Sequence, residues 1–137
     1  METFKNKGFV IGNILHITPK ETIELCKDDA ILVDVREEFM IGYKRFSVNK
    51  VIYAPASIIE EFYLELPTDK LLIIADATGI HSKEVTLFLT EKGFKNIANL
   101  AGGLVEWEHD NLPLTTDVEE RLTGSCMCQL KRRDKKK

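Results

Sequence analysis

Asp76-Ala77-Thr78-Gly79-Ile80-His81-Ser82 is the segment of this 137-residue chain whose composition and setting point to chemistry. It follows the aliphatic run Leu71-Leu72-Ile73-Ile74-Ala75, which reads as a buried strand. It precedes residues 83–92, where Val85, Phe88 and Leu89 fall on one helical face and Gly93 supplies a stop. A strand that turns through glycine into a helix aims free backbone N–H groups and the positive end of the helix dipole at one point, the geometry of an anion cradle. An aspartate heading such a loop is itself an anion at neutral pH. Asp76 can therefore accept the loop N–H groups, cap the helix and fill the cradle with its own side chain.

A second group with chemical potential is Ser125-Cys126-Met127-Cys128-Gln129, which places two thiols one residue apart. Three readings stay open: incidental cysteines, a thiol pair for sulfur or redox chemistry, and a soft-metal site. A closed tetrahedral zinc site needs four ligands and a C-x-C pair supplies two, so no metal is assigned. Lys131, Arg132, Arg133, Lys135, Lys136 and Lys137 follow closely. Their attraction favours the thiolate relative to a free cysteine, whose reference pKa is about 8.5. Cys126 and Cys128 are thus the expected reactive thiols and the candidate catalytic residues.

The elements that must hold the loop are legible upstream and downstream. Ile14-Leu15-His16-Ile17 reads as a strand. Thr18-Pro19-Lys20-Glu21 combines an N-cap, a proline at the first helical position and a capping-box acid, opening a helix through about Cys26. Ala30-Ile31-Leu32-Val33-Asp34-Val35 and Val51-Ile52-Tyr53-Ala54 repeat the continuous apolar pattern of strands buried on both faces. Amphipathic stretches over residues 37–42, 57–66 and 82–92, a strand over 96–100 and a helix around 104–109 complete the alternation. The fold class expected is α/β: one domain over residues 8–115, with a mostly parallel five-stranded sheet and helices on both faces. Residues 116–137 form a separate C-terminal tail.

Charge separates the same two parts. The six basic side chains of the end against Asp134 give +5, which with an overall −3 leaves −8 on residues 1–130. An acidic body repels RNA and anionic lipid, and no aromatic residue interleaves with the basic ones for base stacking, so neither nucleic acid nor a membrane is an expected partner. The tail reads as a solvated charge run. No apolar run approaches a membrane span and the start lacks a signal-peptide pattern, which makes the cytoplasm the expected location. Three cysteines are an odd number without the spacing of a secreted framework, so reduced thiols are expected.

At this point four segments together resemble the rhodanese-like family. The loop resembles the family's C-x-x-G-x-R-S active-site loop, with Gly79 and Ser82 in register; Leu32-Val33-Asp34-Val35-Arg36-Glu37 resembles its L-I-D-V-R-E strand end. Residues 38–42 followed by Val51-Ile52-Tyr53-Ala54-Pro55 resemble its E-[YF]-x-x-G-H-I stretch and the strand and proline after it, and Leu100-Ala101-Gly102-Gly103-Leu104-Val105-Glu106-Trp107 resembles its L-x-G-G-x-x-x-W hallmark. The resemblance covers residues 14–114 in the right order. It implies a thiosulfate sulfurtransferase-like ancestry, no cofactor, and an ion pair of Asp34 with Arg36 at the mouth of the sheet.

The departures bear on activity. Asp76 stands where the family carries the cysteine that becomes a persulfide, His81 where it often carries an arginine, and Gly42-Tyr43-Lys44-Arg45 replaces Gly-His-Ile. A carboxylate cannot carry sulfane sulfur, so classical activity is expected to be absent and enzyme status is left open. The favoured reading is a non-catalytic anion-binding, partner-binding or regulatory module. It would take a small anion or sulfur-containing ligand at the loop, or a protein partner. The alternative is a sulfurtransferase or thiol redox protein using Cys126 or Cys128. A phosphatase or arsenate-reductase relative, by likeness to the Cdc25 phosphatases, ranks last because it too needs a loop cysteine. Trp107 and its glycines read as packing and turn residues, His16 and His109 as structural or exposed histidines, and Cys26 as a buried small hydrophobe.

Overall fold

The computed structural model describes residues 8–41 and 44–116. Gly42, Tyr43 and the tail from residue 117, with Cys126 and Cys128, lie outside the described residues. The chain opens with a hairpin, β1 (Phe9–Ile11) and β2 (Ile14–Ile17), joined by Gly12 and Asn13, which have φ of 60° and 66°. Positive φ at two consecutive turn residues is what a tight hairpin requires. Helix α1 (Pro19–Asp28) starts on the Thr18 and Glu21 capping box, with Pro19 in its first turn. After it come β3 (Ile31–Asp34), the single turn α2 (Glu38–Ile41), β4 (Lys44–Phe46) and β5 (Val51–Tyr53). A 3-10 turn leads into α3 (Ile59–Phe62), followed by β6 (Leu72–Ala75), α4 (Ile80–Glu91), β7 (Ile97–Leu100), α5 (Gly103–His109) and β8 (Leu114–Thr116).

The main sheet has the order β1-β2-β7-β6-β3-β5. Its last five strands pair in parallel, and β1 adds an antiparallel sixth at the edge, one strand more than the sequence pattern predicts. The extra strand rests on Phe9-Val10-Ile11, whose three side chains are all exposed. β4 and β8 form a separate antiparallel pair.

Strand alternation sorts the core into two layers. Leu32, Ile73, Ala75, Ala98 and Leu100 face Leu25 and Cys26 of α1, Trp107 of α5 and Phe46 of β4. Ile31, Val33, Leu72, Ile74 and Ile97 face Ile59 of α3 and Val85 and Leu89 of α4. Trp107 is fully buried, meets Phe46 edge-on at 5.2 Å between ring centres and donates its Nε1–H to the Pro113 carbonyl at 2.8 Å. The chain leaves β3 toward β5 on one side, and leaves β6 toward β7 on the other. The carboxyl ends of β3 and β6 therefore bound a topological switch point, where open α/β sheets place their sites.

Candidate functional site

Asp34 closes β3 beside Ala75, its register partner on β6, so Asp76 starts its loop at the switch point. Gly79 takes a φ of +96° at the N-cap of α4. A side chain there would press on the Gly102 backbone nitrogen at 3.1 Å. Glycine has no side-chain oxygen, so the twelve-residue helix is capped from elsewhere. The Asp76 carboxylate does it: Oδ1 accepts the Gly79 N–H, Oδ2 accepts the His81 N–H at 2.9 Å, and the Ser82 hydroxyl lies 3.2 Å from Oδ1. Asp76 is 5% exposed.

The loop carbonyls are held by the next helix. Leu104 N–H donates to the Asp76 carbonyl at 2.9 Å and Val105 N–H to the Ala77 carbonyl at 3.0 Å. Gly103 allows this approach, since a Cβ there would stand 2.5 Å from the Asp76 carbonyl oxygen. Ala77 is half-buried, while Thr78, Ile80 and His81 are exposed. His81 serves the carboxylate through its backbone.

Behind the loop lies a buried polar layer between the sheet and α4. Ser82 Oγ also contacts the Asn99 side-chain oxygen, Asn99 Nδ2 lies 3.2 Å from His16 Nδ1 and 3.4 Å from the Gly79 carbonyl, and Thr86 donates to the Ser82 carbonyl at 2.7 Å. The Ser82 hydroxyl has one proton for two acceptor oxygens, so it serves Asp76 or Asn99 at any moment. Phe9 stacks on the His16 ring at 5.4 Å, and His16 Nε2 is buried with no partner among the described residues. An asparagine inside the apolar run Ile97–Leu100 was the signal for this layer, because a buried amide must find hydrogen bonds.

Arg36 supplies the second charged element. Nε and Nη2 grip the Asp34 carboxylate at 2.8–3.2 Å, Nη2 also donates to the Lys44 carbonyl at 2.9 Å, and the guanidinium lies over the Phe46 ring. Burial pushes the Asp34 carboxyl above its ordinary range, and the Arg36 hydrogen bonds and charge pull against that. Cys26 is buried on α1, and burial pushes its thiol up to about 11, which makes it a poor nucleophile. Among the described residues, Glu106, His109 and Asp110 bring three exposed or half-exposed ligand atoms within 4.8 Å of one another, short of a closed four-ligand site.

The family model for the rhodanese-like domain matches residues 18–110, which contain the switch point, the loop and the Asp34 and Arg36 pair. The chain belongs to the rhodanese-like family. This rhodanese-like domain is 29% identical over 104 residues to the thiosulfate sulfurtransferase GlpE of Haemophilus influenzae strain Rd, covering 73% of this chain and 93% of that protein. It is 33% identical over 116 residues to the uncharacterized protein YibN of Escherichia coli K12, covering 82% of this chain and 78% of that one. Among solved structures, a rhodanese-related protein from Thermoplasma volcanium superposes with a TM-score of 0.67 at 28% identity, covering 73% of this chain and 96% of that chain. No helix among the described residues of this rhodanese-like domain is long and apolar enough to cross a membrane.

Proposed function

We propose that this rhodanese-like domain does no thiol chemistry at its loop and serves as a binding or regulatory module. The observation that carries the reading is the pair of backbone donors, Gly79 N–H and His81 N–H, gathered on the Asp76 carboxylate, with the Ser82 hydroxyl shared between that carboxylate and Asn99. In the family pattern this position belongs to a cysteine that takes up sulfur. A carboxylate offers no sulfur nucleophile, and the donors that would steady a bound anion already hold one that is covalently part of the chain. A small anion or sulfur-containing ligand at the loop must then compete with Asp76, which leaves a protein partner as the favoured ligand class. Cytoplasmic placement, the absence of nucleic-acid binding and the tail as a unit separate from the domain belong to the same reading.

The test is sulfur transfer from thiosulfate to cyanide by the full chain, with persulfide mapping by mass spectrometry. Background turnover and no persulfide are expected. The similarity to proteins named thiosulfate sulfurtransferase favours one second reading, in which Cys126 or Cys128 carries the sulfur. Turnover abolished by replacing Cys126 and Cys128 with serine would establish that reading in place of the first. Turnover that survives those replacements would defeat both.

A further inference from the structure

Leu15 and Ile17 pack in the core layer on the α1 side of the sheet, so His16 between them points to the α4 side, where Asn99 of β7 is its register partner. The residue is 7% exposed. Its Nδ1 lies 3.2 Å from Asn99 Nδ2, which also reaches the Gly79 carbonyl at 3.4 Å, and the Asn99 oxygen faces the Ser82 hydroxyl. An amide nitrogen only donates, so His16 Nδ1 accepts and the ring hydrogen sits on Nε2. The buried chain of polar groups runs from His16 through Asn99 and Ser82 to Asp76, and it ends on the carboxylate that fills the loop.

A proton added to the ring changes this chain at one atom. Nε2, buried without a partner among the described residues, carries its hydrogen in the neutral and the protonated ring alike and does not separate the two forms. Nδ1 turns from acceptor to donor and then needs an oxygen. A half-turn of the Asn99 amide brings its oxygen to Nδ1 and its nitrogen to Ser82 Oγ. The Ser82 hydroxyl, now receiving from Asn99, keeps Asp76 Oδ1 as its acceptor at 3.2 Å. The Gly79 carbonyl gives up its long contact with Asn99 and retains the Lys83 N–H at 3.3 Å.

The surroundings offset the cost of a buried positive charge. Phe9 of β1 stacks on the ring with 5.4 Å between centres, and an aromatic face attracts a cation at that range. Strands β1, β2 and β7 carry no other ionisable side chain. His81, Lys83, Glu84 and Glu91 of α4 are exposed, and Glu21 belongs to α1 on the other side of the sheet, where it accepts from Gly8 and Thr18. Asp76 is the charged group to which the buried chain leads.

We propose that His16 is a proton-operated switch on the Asp76 loop. With the ring neutral, the Ser82 hydroxyl is divided between Asn99 and Asp76. With the ring protonated, it is given wholly to Asp76, and the carboxylate has three full-time donors. Acidification therefore fastens the internal anion in its cradle, and neutral conditions leave it easier for an external anion to displace. The inference rests on the reading of the loop as filled by Asp76. Its test follows proton uptake by the ligand-free protein, whereas that reading is judged by sulfur transfer, so the two can fail separately.

The test is an NMR titration of the full chain from about pH 8 to about pH 5, the interval in which imidazoles take up a proton. A His81→Gln background removes the exposed ring beside the loop and keeps its backbone donor. The ring nitrogens of His16 should show hydrogen on Nε2 alone at the upper end and on both at the lower end. The Gly79 amide resonance should follow the His16 curve and not that of His109. Its hydrogen-exchange protection, corrected for the intrinsic effect of pH, should rise by at least about threefold across that curve. Ser82→Ala breaks the chain and leaves every charge in place, so the Gly79 resonance should stop following His16. His16→Gln takes no proton and should leave the Gly79 resonance flat, which keeps the test decisive if Ser82→Ala does not fold. A His16 ring that stays neutral throughout, a neutral ring with its hydrogen on Nδ1, or a Gly79 resonance indifferent to His16 overturns the proposal. A Gly79 response that persists in either variant overturns it as well, by assigning the effect to through-space attraction or to another group.

Discussion

The carboxylate of Asp76 accepts the backbone N–H of His81 at 2.9 Å, so the first turn of α4 is tied to the residue that heads its own loop. Together with the Gly79 N–H on the other oxygen, this makes Asp76 a remote N-cap, reaching across a turn whose cap position holds only glycine. The arrangement converts a feature that could bind a free anion into one that binds an internal anion.

Removal of that anion should expose the cradle. Asp76→Ala leaves the Gly79 and His81 N–H groups without their acceptor in a buried site, which should cost about 1–3 kcal/mol of stability. Phosphate or sulfate should then raise the melting temperature of the variant and leave the wild type unmoved, as a ligand binding only the folded state must. Thermal melts across an anion titration check this. An identical response in the two proteins would show that the loop N–H groups do not form an anion site.

The buried pair Asp34 and Arg36 gives a second expectation. Arg36→Met leaves a carboxyl buried without its partner, and breaking a buried pair from one side costs about 3–5 kcal/mol. Asp34 already sits above its ordinary pKa through burial, and without Arg36 it should rise further. A raised folded-state value means that the folded form binds the proton more tightly than the unfolded one. The variant should therefore lose stability relative to wild type as pH rises from the unfolded carboxyl value through the folded one. Urea unfolding at a series of pH values reads this directly, and a deficit that shrinks with rising pH would contradict it.

The parts of this fold that were legible in the sequence are those in which local pattern and tertiary role agree. The runs that became β2, β3, β6 and β7 are apolar because both faces are largely covered, β5 carries the same pattern at the sheet edge with Val51 and Ile52 only half-buried, and Thr18 with Glu21 marks the start of α1 by its own chemistry. β4 escaped because Lys44-Arg45-Phe46 carries two charges and pairs only with the equally short β8. The hairpin strand β1 escaped because its run is only three residues long and all three are exposed, with no alternation of buried and exposed positions to mark a strand. At the site, Asp76 and the glycine turn were readable from spacing. His16 was not, since its place behind the loop depends on β2 lying next to β7 and on Asn99, 83 residues away.

At the opposite end of the sheet, Asp29 is held by Lys50 at 2.7 Å and by Lys70, and these hydrogen bonds bring its carboxyl down to about 2. A depressed folded-state value contributes stability that is present above the unfolded value and is lost as pH falls toward the folded one. Wild type should accordingly lose stability relative to Asp29→Asn as pH falls from about 4 to about 2, the interval between the ordinary and shifted values. The groups are exposed to solvent, so added salt should flatten the difference. Parallel pH profiles for the two proteins at low salt would show that the two lysines do not act on this carboxyl.

Gly103 and Gly93 separate backbone conformation from close approach. Both have positive φ, +59° and +101°, so alanine at either position carries the left-handed penalty of about 1–2 kcal/mol. At Gly93 nothing lies within 4 Å of the added Cβ, and the penalty should be the whole effect. At Gly103 the Cβ would meet the Asp76 carbonyl oxygen at 2.5 Å and the Ala77 carbonyl carbon and oxygen at 2.7 Å. Those are backbone atoms already held by the Leu104 and Val105 N–H groups, so the loop itself must move. Gly103→Ala should therefore cost about 2–4 kcal/mol, well beyond Gly93→Ala, when the two are compared by urea unfolding. It should also raise amide hydrogen exchange at Leu104, Val105 and His81, because the shift of Asp76 loosens both its carbonyl and its carboxylate bonds. Equal losses for the two variants, with exchange at His81 unchanged, would mean that α5 does not hold the Asp76 loop in place.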